Sequence, residues 1–202
     1  MEKKLNDKLK DREVRKFAEF ELRALHNEED NSDDGLYVEG YAATFNDPTV
    51  LFEIDGVEYR EQISDKAFDE ADMSDVIFNY NHKGKVMART RNKTLQLSVD
   101  SKGLWIRAKL DGTEEGRKLY EEINGGYIDR MSFSFSIREQ SFDSNNKLIT
   151  IQKVKRLFDC SAVDIPAYDT TSISARSLVE TEKAKEEQER LLRKKLILLT
   201  QL

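Results

Sequence analysis

Residues 131–137 read MSFSFSI, and that alternation constrains the chain more than any other stretch. Met131, Phe133, Phe135 and Ile137 interleave with Ser132, Ser134 and Ser136. In an extended strand successive side chains point to opposite faces, so this segment has one apolar face and one face of hydroxyls only. A helix would scatter the four apolar residues around its circumference. The chain must therefore build a sheet with a buried side behind these residues. Ordinary solvent faces mix Thr, Lys, Glu and Gln, so three serines in a row invite the question whether one is reactive.

The rest of the chain supplies partners for that strand. LYVEGYAATFN predicts a strand, and LFEIDGVEYREQI a hairpin turning at Asp55-Gly56. SDKAFDEAD places Ser64 as the N-cap of a short helix. DVIFNYNHKGK runs from a buried strand into a polar turn at Gly84. TLQLSVDSKGLWIRAKL is a second hairpin, with Leu95, Leu97 and Val99 on one face of its first strand. DGTEEGRKLYEEINGG predicts a helix, acidic at its start and stopped by Gly125-Gly126. After the serine strand come a turn at DSNN and two further strands, KLITIQKV and LFDCSAVDI, the second closed by Pro166. Many short strands with two or three helices predict an α+β chain. Its expected form is a closed or strongly curved, mostly antiparallel β-barrel ringed by a few helices.

The two ends differ from this middle. Residues 1–16 are nearly all charged and predict a mobile or helical arm. Residues 177–202 are helical in pattern, highly charged and free of Gly and Pro. There Glu186 with Arg190 and Glu189 with Arg193 form i,i+4 pairs. Leu191, Leu192, Leu196, Ile197 and Leu199 are too concentrated to stay exposed in a monomer. They predict docking on the barrel or contact with a partner. The organisation is thus an arm over 1–16, a domain over 17–176 and a helical tail over 177–202.

Charge and rare residues narrow the function. A net charge of −6 argues against general nucleic-acid binding, which needs a surplus of Lys and Arg. One cysteine, Cys160, excludes an internal disulfide and fits a reducing compartment. With two histidines it leaves too few soft ligands for a tetrahedral zinc site. No cofactor or metal is expected, and the P-loop, dinucleotide and G-x-S-x-G patterns are absent. The first sixteen residues lack the apolar stretch of a secretory signal, and LILL is too short to span a bilayer. A soluble intracellular protein without membrane association is expected.

A hydrolytic serine needs a base, and the base needs an orienting group. His26 opens the loop HNEEDNSDDG, whose carboxylates lack calcium-loop spacing and read as a solvated turn. His82 stands where an apolar strand meets a turn, a place suited either to catalysis or to backbone hydrogen bonding. Spacing alone leaves the serines open between a strand face and a nucleophile.

Five fragments in series carry a resemblance: VEGYAATFN, YREQISDKAFDEA, NYNHKGKVMARTRNKTLQLSVDSKGLWIRAKL, MSFSFSI and LFDCSAVDIPAYDTT. From about Phe17 to Arg176 the chain resembles the prohead (capsid maturation) serine proteases of the HK97-type tailed phages. That family is held to share its fold with the herpesvirus assembly proteases, which implies the barrel expected above. The resemblance makes His82 the general base and Ser132, which follows Met131, the nucleophile. The strand pattern M-S-F-G-F has glycine where Ser134 stands here, so the strand is less open beside the nucleophile. Ser134 itself gains no role, and Ser134→Ala is expected to keep most activity. Where family sequences carry L-x-E-V-S, this chain reads LFDCS, which makes Asp159 the orienting acid in place of glutamate. Asp164 is the rival. Asp159 is favoured because it lies between Phe158 and Cys160, where an ionised carboxylate needs a strong partner. Arg130 is a candidate contributor to oxyanion binding.

The resemblance implies a serine endopeptidase that cleaves a scaffold protein, or the scaffold-like arm of the major capsid protein, and then itself. The setting implied is the immature capsid in the host cytoplasm, with self-association as a further contact. The alternative is an inactive relative serving as a capsid assembly or scaffolding module; a non-proteolytic binding module of the same fold is a third reading.

Overall fold

In a computed structural model the chain is described over residues 13–16, 22–25, 35–164 and 172–200. Two sheets make up most of it. The larger has seven strands and the order β1-β10-β11-β5-β4, with β6 also pairing β11 and β7 pairing β6. These are β1 (Glu13–Lys16), β4 (Thr49–Ile54), β5 (Val57–Ile63), β6 (Ile77–Tyr80), β7 (Lys83–Arg89), β10 (Arg130–Asp143) and β11 (Leu148–Val163). The smaller is an antiparallel β2-β3-β9-β8 sheet of Arg23–Leu25, Tyr37–Thr44, Gly103–Lys109 and Leu95–Val99.

The expected barrel ringed by helices does not form. The molecule is mostly β, neither sheet closes on itself, and the described residues hold two α-helices and one 3₁₀ turn. Alternation of side chains tells which face of a strand is buried but not which strand lies beside it, and closure is a property of pairing. Two of the expected short strands are also halves of one. Residues 148–163 run without a break as β11, and charged Lys155 and Arg156 bend no turn into it. The first part of β11 pairs in parallel with β5 and the last part in parallel with β6. One strand therefore bridges two neighbours along its length, while β10 covers its other edge throughout.

Several local readings are met. Asp55 and Gly56 both have positive φ and turn the β4–β5 hairpin. The second hairpin is β8–β9, with Leu95 opposite Ala108. SDKAFDEAD makes turns and an isolated bridge from Asp72 to Arg156, so Ser64 caps no helix. Residues 13–16 form a strand rather than a helix. His26 and the acidic residues up to Asp34 lie outside the described residues.

The first helix, α1 (Glu114–Asn124), begins where Thr113 Oγ1 accepts from the Gly116 N–H at 2.9 Å. It buries Leu119, Tyr120 and Ile123, and Tyr120 reaches the Leu25 carbonyl of β2. The second, α2 (Ser172–Thr200), buries Val179 and lays Lys183 over the Tyr59 ring at 5.1 Å. Farther along it Leu191, Leu192 and Ile197 are each more than half exposed, so among the described side chains burial is found only at Val179. Arg193 lies 3.7 Å from Glu189 as expected, while Arg190 pairs with Glu187. The side chains of Glu186, Leu196 and Leu199 fall outside the described residues.

Behind β10 the apolar face predicted from MSFSFSI is buried at Met131, Phe133 and Phe135 and half-buried at Ile137. Phe133 and Phe135 stack with centroids 4.8 Å apart, and Phe68 tilts against Phe133 at 6.3 Å. Each such phenylalanine contributes about 1.5–3 kcal/mol of burial free energy, which fixes the strand's register and so the direction of its serines.

Candidate active site

Three adjacent strands bring the polar residues together. Across the antiparallel β10–β11 ladder Ser132 stands opposite Ser161, and Ser134 opposite Asp159. Directly opposed residues share a face, so all four project from the same side. On the other edge of β11, Asn79 of β6 is in register with Ser161. His82 comes from the turn beyond β6. Tyr80 pairs with Lys83, leaving Asn81 and His82 as a two-residue loop with φ of 51° and 58°. Positive φ at both loop positions is the primed hairpin turn, one residue pair ahead of the turn expected at Gly84. The left-handed conformation costs a non-glycine residue about 1 kcal/mol. The Asn81 N–H anchors the loop to the Ala162 carbonyl at 2.9 Å.

This turn folds the imidazole back over the hydroxyl face. His82 Nε2 lies 2.7 Å from Ser132 Oγ, and His82 Nδ1 lies 2.6 Å from Asp159 Oδ1. Ser134 Oγ donates to Asp159 Oδ2 at 2.5 Å. Ser161 Oγ lies 2.9 Å from Asp159 Oδ1 and 3.1 Å from His82 Nδ1, and it also contacts Asn79 Oδ1. Ser132, Ser134, Ser161 and Asp159 are wholly buried, and the His82 side chain alone among the three relay members keeps a little exposure, 11%. A carboxylate so placed needs donors on both oxygens to offset its lost hydration.

The structure thus brings Ser132, His82 and Asp159 within hydrogen-bond reach of one another. It does not bring in Asp164, whose Oδ2 accepts from the Tyr80 hydroxyl at 2.9 Å in an exposed bend. That bond and partial burial hold the Tyr80 phenol above its usual range. Arg130 is directed to neighbouring Asp129 at 3.7 Å. Sequence reasoning missed Ser161 and Asn79 altogether. Ser161 could have been found by counting two residues along the strand from Asp159; Asn79 needed knowledge that β6 lies beside β11. Cys160 points away from this face into the core, where burial pushes its thiol well above the usual range, with the Asp159 charge adding to the effect. Among the described residues no cluster of three or more His, Cys, Asp or Glu could hold a metal ion.

Chemically the arrangement can pass a proton from a serine hydroxyl to an imidazole whose far nitrogen faces a carboxylate. Comparison with known proteins agrees in kind. The family model described as the caudovirus prohead serine protease matches residues 20–186. No curated protein is similar to the chain at a significant level. Among solved structures, the bacteriophage T4 capsid assembly protease matches at 14% identity and a TM-score of 0.47. The match covers 77% of this chain and 98% of that one. At that level no residue is carried over.

Proposed function

The chain belongs to the caudovirus prohead serine protease family, and from that membership we propose that it is an active serine endopeptidase of capsid maturation. Ser132 is its nucleophile, His82 its general base and Asp159 the carboxylate that orients the imidazole. The observation that carries the assignment is the unbroken relay of 2.7 Å and 2.6 Å through the two nitrogens of His82.

In the proposed reaction His82 Nε2 accepts the Ser132 proton as Oγ attacks the carbonyl carbon of the scissile peptide. The tetrahedral intermediate collapses when the imidazolium protonates the leaving amine, and an acyl ester remains on Ser132. Water, deprotonated by the same imidazole, then hydrolyses the ester and restores the hydroxyl. Asp159 stabilises the imidazolium in each half. The developing oxyanion requires preorganised donors near the carbonyl oxygen.

The substrate class is capsid-assembly protein: a scaffold, or the scaffold-like arm of the capsid protein, and the protease itself. The place of action is the immature shell within the host cell. Among the described residues no helix is long and apolar enough to cross a membrane. The assignment is tested by incubating the chain with the capsid and scaffold proteins of its own phage and mapping new termini by mass spectrometry. Cleavage that disappears in Ser132→Ala is expected; equal cleavage by that variant would remove Ser132 from the mechanism, and none by the wild type would favour the assembly-module reading.

A further inference from the structure

We propose that Ser134 and Ser161 are positioning residues that hold the Asp159 carboxylate from two sides, with Asn79 fixing Ser161 in turn. The proposal rests on the Ser132–His82–Asp159 reading above. It starts from a count of donors. Asp159 has no exposed surface, and a buried carboxylate presents two oxygens that both call for hydrogen bonds. His82 serves one of them, Oδ1, at 2.6 Å. Ser134 serves the other at 2.5 Å, and it sits directly across the ladder, where strand pairing fixes its distance. Were the Ser134 hydroxyl removed from Oδ2, the carboxylate would be held less firmly against rotation about its Cβ–Cγ bond, and Oδ1 would leave the line of the imidazole N–H more readily.

Ser161 makes the second hold. Its single hydroxyl proton faces two acceptors, Asp159 Oδ1 and the Asn79 side chain, and one proton cannot serve both. The count closes when the Asn79 amide is turned end for end, an exchange of nearly equivalent atoms. Asn79 Nδ2–H then donates to Ser161 Oγ, and Ser161 O–H donates to Asp159 Oδ1. The Ser161 oxygen, 3.1 Å from His82 Nδ1, also lies beside the N–H that the imidazole must carry on that side. Asn79 is 4% exposed, so its amide has little recourse to solvent. The chain Asn79–Ser161–Asp159 therefore sets both the carboxylate plane and the tautomer of His82.

The same geometry sets the size of the acid. With Ser134 Oγ at 2.5 Å from Asp159 Oδ2 and no exposed surface on either residue, one extra methylene at position 159 has no room. Removal of the Ser134 side chain would open that room. Position 134 and position 159 are thus a matched pair.

The test uses the full chain and a fluorophosphonate probe, which labels an activated serine without requiring the natural substrate. The wild type should label at Ser132 and Ser132→Ala should not. Ser134→Ala and Ser161→Ala should each label about tenfold more slowly and melt at a somewhat lower temperature, since each takes a donor from a buried carboxylate. Asp159→Glu should label about a hundredfold more slowly, and Asp159→Glu combined with Ser134→Gly should recover at least tenfold of that loss. A merely structural role would leave labelling at the wild-type rate at temperatures well below the melting transition and give no recovery in the double variant. Wild-type labelling rates in both serine variants, or a double variant no faster than Asp159→Glu, would overturn the proposal while leaving the relay intact. A wild-type chain that never labels at Ser132 would instead overturn the relay and the positioning together.

Discussion

His82 and Asp159 meet at 2.6 Å although 77 residues separate them in the chain. The contact exists because β6 runs parallel to the last part of β11, and the turn that ends β6 folds over the face on which Asp159 lies. Asp159→Asn is therefore expected to fold and to lose roughly 10²–10⁴ in kcat, because an amide can hold the imidazole in the wrong tautomer. Asp164→Asn should stay near wild type, since Asp164 is bonded to Tyr80 instead. Rates of capsid-protein cleavage by the two variants, measured side by side, decide the matter; the reverse order would exchange the two carboxylates.

The turn that carries the histidine has its own signature. His82 sits at φ 58°, a conformation that suits glycine better than any residue with a Cβ. His82→Ala and His82→Gly should both be inactive. Both also lose the partner of Asp159, so the difference between them isolates the backbone. Urea unfolding should find the glycine variant about 1 kcal/mol the more stable. An alanine variant of equal or greater stability would show that the turn does not hold this conformation in solution.

Cys160 lies one residue from the acid and takes no part in the relay. It is wholly buried, and its thiol is held well above its usual range. Thiolates, not thiols, react with alkylating agents. Iodoacetamide should leave both Cys160 and proteolysis untouched in the native chain, and should modify Cys160 once urea has unfolded it. Inactivation of the folded protein with alkylated Cys160 would contradict this packing.

Helix α1 offers a test against ordinary propensity. Alanine in a helix interior is favoured over glycine by about 1 kcal/mol. At Gly116 an added Cβ would meet the Leu110 carbonyl oxygen at 2.3 Å and Thr113 Oγ1 at 2.9 Å. Gly116→Ala should therefore destabilise the protein and weaken the Thr113 cap. Calorimetry should find a lower melting temperature; an increase would mean that the helix start has room to shift.

Which parts of this architecture are legible in the sequence follows from how local each signal is. Asp55-Gly56 announces its hairpin because the turn needs two residues that accept positive φ. Phe133 and Phe135 announce the buried face of β10 because the period of two needs no knowledge of neighbours. Asp159 is pointed to by the resemblance, and a local fact, its position between two apolar neighbours, favours it over Asp164. By contrast, the parallel pairing of β11 first with β5 and then with β6 is written in no short segment, and the barrel inferred without it does not form. Ser134 shows the same limit. Its hydroxyl has no evident use along its own strand, and the bond to Asp159 appears only across the ladder. The positioning role proposed for Ser134 departs from the expectation that Ser134→Ala keeps most activity, and the labelling rates decide between the two.

Strand β1 has a consequence for any peptide approaching Ser132. It pairs antiparallel with β10, placing Lys16 opposite Ser132 and Val14 opposite Ser134, while the other edge of β10 is taken by β11. Beside Ser132 and Ser134, the edge of β10 not taken by β11 is the one along which residues 13–16 lie. A peptide seeking that edge would have to displace a segment of the same molecule, and an intramolecular competitor acts at a fixed effective concentration. Apparent affinity is then intrinsic affinity multiplied by the fraction of molecules in which the segment has detached. For a peptide that binds along this edge, the constant measured on the full chain would be the product of two equilibria, one belonging to the peptide and one to residues 13–16.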